Sequence, residues 1–189
     1  MGNLGQVVRA IQAGGPGSGC QGPNCGRPRS TSQVTGPDAR RYQKAKSGEE
    51  VLDIATKNVG KPGWPAPRDL VLGAIMSADR VLSKTGESRS KAERALTAAQ
   101  AWTGSPNKRN AQAAEAAAYK AGYAAIKAKM SGDERGSMAV EAAAYAAYAV
   151  GDITNASSAA KFAARASGKS SEAGIQATML RKFFASQQS

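Results

Sequence analysis

The segment Glu141-Ala142-Ala143-Ala144-Tyr145-Ala146-Ala147-Tyr148-Ala149-Val150 decides the fold. Alanine fills most of it, and alanine is the strongest helix former because it loses no side-chain entropy. Just upstream, Ser131-Gly132-Asp133-Glu134 has the spacing of a capping box, so a helix is expected from there to Val150. Part of the segment has occurred before: Glu115-Ala116-Ala117-Ala118-Tyr119 lies 26 residues upstream of Glu141-Ala142-Ala143-Ala144-Tyr145. A looser third copy follows as Ala159-Ala160-Lys161-Phe162-Ala163-Ala164. The small residues suit close helix contact, with tyrosines expected to fill the gaps between layers. On that reading Tyr145→Ala or Tyr123→Ala opens a cavity costing about 3–5 kcal/mol where the ring is fully buried. A repeat unit with a binding groove is the alternative.

Alanine dominates the rest of the chain as well. Of 189 residues 39 are alanine, about half of the 41% that count as hydrophobic, whereas Leu, Ile, Val and Phe number only 25. With a net charge of +12 that scarcity alone would signal disorder. The helix propensity of alanine outweighs that signal, and the length suits one small domain with tails. Histidine is absent, which excludes His general bases, His triads and His metal ligands. Two cysteines cannot complete a structural zinc site within one chain.

Working outward, Ser47 and Glu50 have capping spacing ahead of Val51, Leu52, Ile54 and Ala55, and Gly60 with Pro62 stops that helix. A second helix is expected from Arg68 to Lys84, with Val71, Ile75, Ala78 and Leu82 on one face. A third spans Ser88 to Trp102 and buries Ala92, Ala95, Leu96, Ala99 and Trp102. Ser105-Pro106 reads as the cap and first-turn proline of a fourth, about 106–130, whose stripe is Tyr119, Tyr123, Ile126 and Met130. Beyond the Ala-rich fifth helix, a sixth covers Asn155 to Ser167 with Gly168 breaking it. A last runs from Ser171 to Gln187, carrying Ile175, Met179, Leu180, Phe183 and Phe184. No segment alternates like a strand. The expected fold is all-α: a compact Ala-rich bundle of six to seven helices over residues 47–189, with an extended Gly/Pro-rich arm over 1–46.

The arm has its own character. Leu4, Val7, Val8 and Ile11 make one apolar stripe of a short helix (3–12), too short to be stable unless docked, so these four are candidate partner-docking residues. A basic Gly/Pro/Cys linker follows to about Lys46. The arm carries +6, half of the total charge. Arg27, Arg29, Arg40, Arg41, Lys44 and Lys46 are its candidate contacts to an anionic partner, with a solvated tail as the plainer reading. Tyr42 is its only aromatic, so it lacks the interleaved rings of single-strand binders. Cys20 and Cys25 sit five residues apart and allow three states: free thiols, a disulfide closing a small loop, or half of a zinc site shared with another subunit.

Other motifs look chemical without being so. Gly17-Ser18-Gly19-Cys20-Gln21-Gly22 fits the dinucleotide pattern literally, but no strand precedes it and prolines flank it. Gly168-Lys169-Ser170 imitates the end of a phosphate loop, yet Ala163 stands where the first glycine belongs. The carboxylates Glu49, Glu50, Asp133 and Glu134 sit at helix starts, where they complement the dipole. The opening residues do not have the pattern of a signal peptide, Gln6 breaks the myristoylation pattern, and no apolar run has the length of a membrane span. No membrane partner, cofactor, metal or small-molecule substrate is expected, and no enzymatic activity.

The stretch Gly14-Gly15-Pro16-Gly17-Ser18-Gly19-Cys20, continued by Gly22-Pro23-Asn24-Cys25-Gly26-Arg27-Pro28, resembles short segments near the ends of proteins encoded by tailed bacteriophages and their prophages. The Ala/Tyr-rich body is similar in composition to phage-encoded helical proteins. The resemblance implies a virion structural protein, present in the host cytoplasm during assembly and tethered by its arm to capsid, portal or tail subunits. Other expectations are a basic protein that binds or condenses DNA, and a regulator or immunity-type adaptor acting on a host protein.

Overall fold

Tyr42 shows where the body begins. The computed structural model describes Val34 and residues 36–188, and Tyr42 lies there in a short helix, α1 (Ala39–Lys44), with only 3% of its surface exposed. Its ring packs edge-on against Trp64 at 5.4 Å. Arg181 Nη1 donates to the Ala45 carbonyl at 2.7 Å, tying the end of α1 to the last helix. The boundary expected at residues 46 and 47 thus falls inside one unit, Thr31–Ser189. One aromatic ring and a few hydrogen bonds dock a stretch whose composition is that of a linker.

The helices that follow start where a side chain can satisfy free amides. Ser47 Oγ accepts the Glu50 amide at 3.1 Å to open α2 (Gly48–Lys57), while Glu50 accepts the Lys46 N–H at 2.7 Å. Pro67 begins α3 (Pro67–Asp79), and Asp69 accepts the Ala66 N–H at 3.2 Å. Val71, Ile75, Ala78 and Leu82 are buried as their spacing predicts. The α-helix nevertheless stops at Asp79 rather than Lys84, and two 3-10 turns, Leu82–Lys84 and Gly86–Ser88, follow. Between them the buried Thr85 donates its hydroxyl to the Leu82 carbonyl at 2.7 Å, a local bond that competes with the helix ladder.

Next come α4 (Arg89–Gly104), α5 (Lys108–Met130), α6 (Glu134–Tyr148), α7 (Asn155–Ser167) and α8 (Glu172–Gln187). Trp102 is half-buried rather than buried. Two caps differ from the sequence reading. Asn107, not Ser105, opens α5 by accepting the Asn110 amide at 2.9 Å, and Asp133, not Ser131, opens α6 by accepting the Gly136 amide at 2.8 Å. Ser131 instead turns its hydroxyl back to the Ala128 carbonyl at 2.8 Å and ends α5. Gly168, at φ +66°, is the left-handed stop of α7, which accounts for the phosphate-loop lookalike. Among the described residues there are eight α-helices and no strand, so the chain is all-α.

The Ala-rich segment forms the centre. Helix α6 packs against α3, α4, α5 and α7 and buries Ala139, Val140, Ala142, Ala143, Ala144, Ala146 and Ala147. Each buried methyl contributes only about 0.8 kcal/mol. None has a rotamer to freeze, so little of that is given back. The larger side chains gather elsewhere, where Leu52, Leu70, Leu180 and Phe184 are fully buried. Gly73 makes room for them: a Cβ there would stand 2.9 Å from Leu180 and 3.0 Å from Phe184. At the same interface Arg80 grips the buried Glu172 through two hydrogen bonds, Nε to Oε1 at 2.5 Å and Nη2 to Oε2 at 3.1 Å.

Candidate functional site: an exposed seam on α5

Helix α5 has two opposite apolar faces. Ala114, Ala118, Ala121 and Ala125 are buried against α4 and α6. On the far side Tyr119, Tyr123, Ile126 and Met130 stand in solvent, 71%, 56%, 57% and 83% exposed. For Tyr119 and Tyr123 this overturns the expectation that the tyrosines fill gaps between layers. The buried positions of the neighbouring α6 are themselves mostly alanine, so small side chains fill the interior on both helices. The alanines take the inside and the large residues are left out. Tyr145 is half-buried, not core. The cavity cost expected for Tyr123→Ala therefore does not apply to an exposed ring.

Aromatic contact continues across the neighbouring helices. The part of α6 that reaches the surface includes Glu141, Tyr145 and Tyr148, all half-buried. Tyr145 stacks on Phe162 of α7 at 5.2 Å with the rings 4° from parallel, and lies 6.4 Å from Tyr148. Burial raises the Tyr148 hydroxyl pKa above its ordinary value, with Glu115, Tyr119 and Tyr145 adding to the effect. Burial likewise raises Glu141, opposed by the cations Lys129 and Arg165. The three copies of the sequence echo thus set their aromatics, Tyr119, Tyr145 and Phe162, at exposed or half-buried positions, while Ala118, Ala144 and Ala163 face inward.

Around Ala116 the seam dips into an open groove of about 370 Å³, lined by Gln112, Glu115, Ala116, Tyr119, Lys120 and Tyr148. Further along, Lys127 Nζ sits 4.9 Å over the Tyr123 ring. Such a surface supplies apolar contact with charged flanks, the ingredients of macromolecular adhesion.

A second cleft, about 410 Å³, brings together three of the predicted cations, Arg40, Arg41 and Lys44, with Ala45, Glu50, Asp53 and Ile54. Arg41 pairs with Asp38 at 3.3 Å, and Asp53 pairs with Lys57 at 2.7 Å. Lys46 is exposed nearby in sequence. The docking candidates Leu4, Val7, Val8 and Ile11, the cysteines Cys20 and Cys25, and Arg27 and Arg29 lie outside the described residues. Among the described residues no three or more Cys, Asp or Glu side chains group in a way that could hold a metal ion, and no helix is long and apolar enough to cross a membrane.

Sequence reasoning finds the α5 stripe but turns it inward. Two signals point outward: alanine already supplies a complete second stripe, and Gly122 lies inside the helix where no turn is needed. No family model, curated protein or solved structure matches the chain.

Proposed function

We propose that the protein works by adhesion, as a non-enzymatic structural component of a bacteriophage particle. Its N-terminal segment tethers the helical body to capsid, portal or tail subunits. The observation that carries the adhesive part is the α5 seam, where four large residues face water on a helix whose inner face is already satisfied. Its apolar surface leaves water only when another macromolecule covers it. The phage context rests on the resemblance of Gly14–Pro28. Ordering a Gly/Pro-rich tether costs conformational entropy, which contacts made on assembly offset.

Mass spectrometry of purified particles tests this reading. The chain is expected at fixed stoichiometry, and deletion of residues 1–35, which spares α1, is expected to abolish incorporation. Normal incorporation of the deleted form rejects the tether. The cationic cleft of Arg40, Arg41 and Lys44 favours a second reading, DNA binding. Phosphate neutralisation makes such affinity fall steeply with salt, so a titration at two salt concentrations separates the two. Absence of binding at low salt eliminates the DNA reading.

A further inference from the structure

We propose that the α5 seam joins two copies of this chain, which pair antiparallel across a two-fold axis near Ala121. The inference rests on α5 being an adhesive face and is independent of which particle holds the body.

Gln112, Ala116, Tyr119, Tyr123, Ile126 and Met130 follow the alternating spacing of four and three residues of a two-helix seam. Ala116, Tyr119, Tyr123, Ile126 and Met130 are exposed in the described chain, and so is Gln112. In the antiparallel register centred at Ala121, Ile126 of one copy meets Ala116 of the other, Tyr119 meets Tyr123, and Met130 meets Gln112. Large therefore opposes small at the layer that most needs it. The groove at Ala116 is bounded by Gln112, Glu115 and Tyr119, so these four residues stand at i, i+3, i+4 and i+7, the outline of a hole that receives one side chain from a facing helix.

Charge and backbone fit the same register. Glu115 comes opposite Lys129 of the second copy, and symmetry makes this pair twice. Gly122 faces its own equivalent close to the axis. A glycine weakens a helix interior, and among the described residues a Cβ at Gly122 would meet nothing within 4 Å. No described neighbour thus requires a glycine there, whereas a second helix approaching at that point would be accommodated by one. Lys120 facing itself on the other flank is the opposing effect, relieved because a long exposed side chain can splay into water. A parallel pairing would match Glu115 with Lys120 but set Ala116 on Ala116 and leave the groove unfilled.

The area is adequate. Four side chains exposed by 56–83% offer roughly 500 Å² at about 200 Å² for a large side chain. The flanking residues bring this toward the roughly 800 Å² per partner of a stable interface.

Sedimentation velocity of the full chain, from roughly 1 to 100 µM, tests the pairing. A dimer is expected, and Tyr123→Glu is expected to return it to monomer with helicity and dilute-solution melting unchanged. Glu115→Lys and Lys129→Glu should each weaken association about tenfold, and the two together in one chain should restore it. Circular dichroism of each variant first confirms that it folds. A monomer throughout the range, or a dimer indifferent to Tyr123→Glu, overturns the proposal. Rescue of Glu115→Lys by Lys120→Glu in place of Lys129→Glu overturns the antiparallel register. A chain that stays monomeric yet enters particles rejects self-pairing alone, and a dimer absent from particles rejects the virion role alone.

Discussion

Tyr42 and Tyr123 carry the same ring into opposite environments, and neither placement follows from the residue alone. Tyr42 stands in a polar, basic stretch and is buried; Tyr123 belongs to an apolar stripe and is exposed. What separates them is the partner each finds, Trp64 for the first and, for the second, a face that no described helix covers. Among the described residues the buried Tyr42 hydroxyl has no hydrogen-bond partner, and burial pushes its pKa up to about 12, against a smaller opposing effect of Arg181. The folded state therefore holds the neutral phenol while the unfolded chain ionises near pH 10. Stability linked to this group is complete below about pH 10 and is lost as pH climbs toward 12. Tyr42→Phe is expected to leave the neutral-pH melting temperature unchanged or slightly raised, because it removes an unsatisfied polar atom. The same variant should flatten the alkaline loss. Tyr42→Ala, by contrast, should cost about 3–5 kcal/mol. Thermal melts at pH 7 and across pH 9–11 check all three outcomes.

At the scale of the element, starts and stops are the most legible feature because they are written within four residues. Ser47 caps α2 and Gly168 ends α7 as their spacing predicts. Where two candidate caps compete, as Ser105 with Asn107 and Ser131 with Asp133, the side chain nearer the helix wins and the other is used in the preceding turn. Links between elements are not legible, and Arg80 with Glu172, 92 positions apart, is the clearest example. Hydrogen bonds from Arg80 are the main cause holding the Glu172 carboxyl below its ordinary value. A depressed carboxylate contributes stability above its unfolded value near pH 4.3, and this is lost as pH falls through the folded one. Arg80→Ala should cost about 3 kcal/mol at pH 7, since it leaves a buried carboxylate unpaired. Glu172→Gln should lessen the acid dependence below about pH 4.5. Chemical denaturation of the two variants at pH 7 and pH 4 measures both effects.

For the whole molecule, the all-α class is readable from alanine content and the absence of alternation. The arrangement is not. A helix such as α5, with small residues on one side and large ones on the other, has two apolar faces, and only its complete alanine stripe and Gly122 hint at which is covered. The edge of the body is equally hidden, because α1 is short and polar apart from Tyr42. Removing residues 1–35 is expected to leave the melting temperature of the body unchanged. Extending the deletion to residue 46 should lower stability by about 3 kcal/mol, as Trp64 loses its cover and Arg181 its acceptor at Ala45. Calorimetry of the two truncated forms distinguishes these outcomes.

The alanine centre of α6 has a thermodynamic consequence. Unfolding it wets little hydrocarbon per residue, so the heat-capacity increment falls below the roughly 12–15 cal/mol/K per residue of ordinary globular domains. A small increment flattens the curve of free energy against temperature. This molecule should change its stability slowly between cold and warm, trading a high peak for breadth.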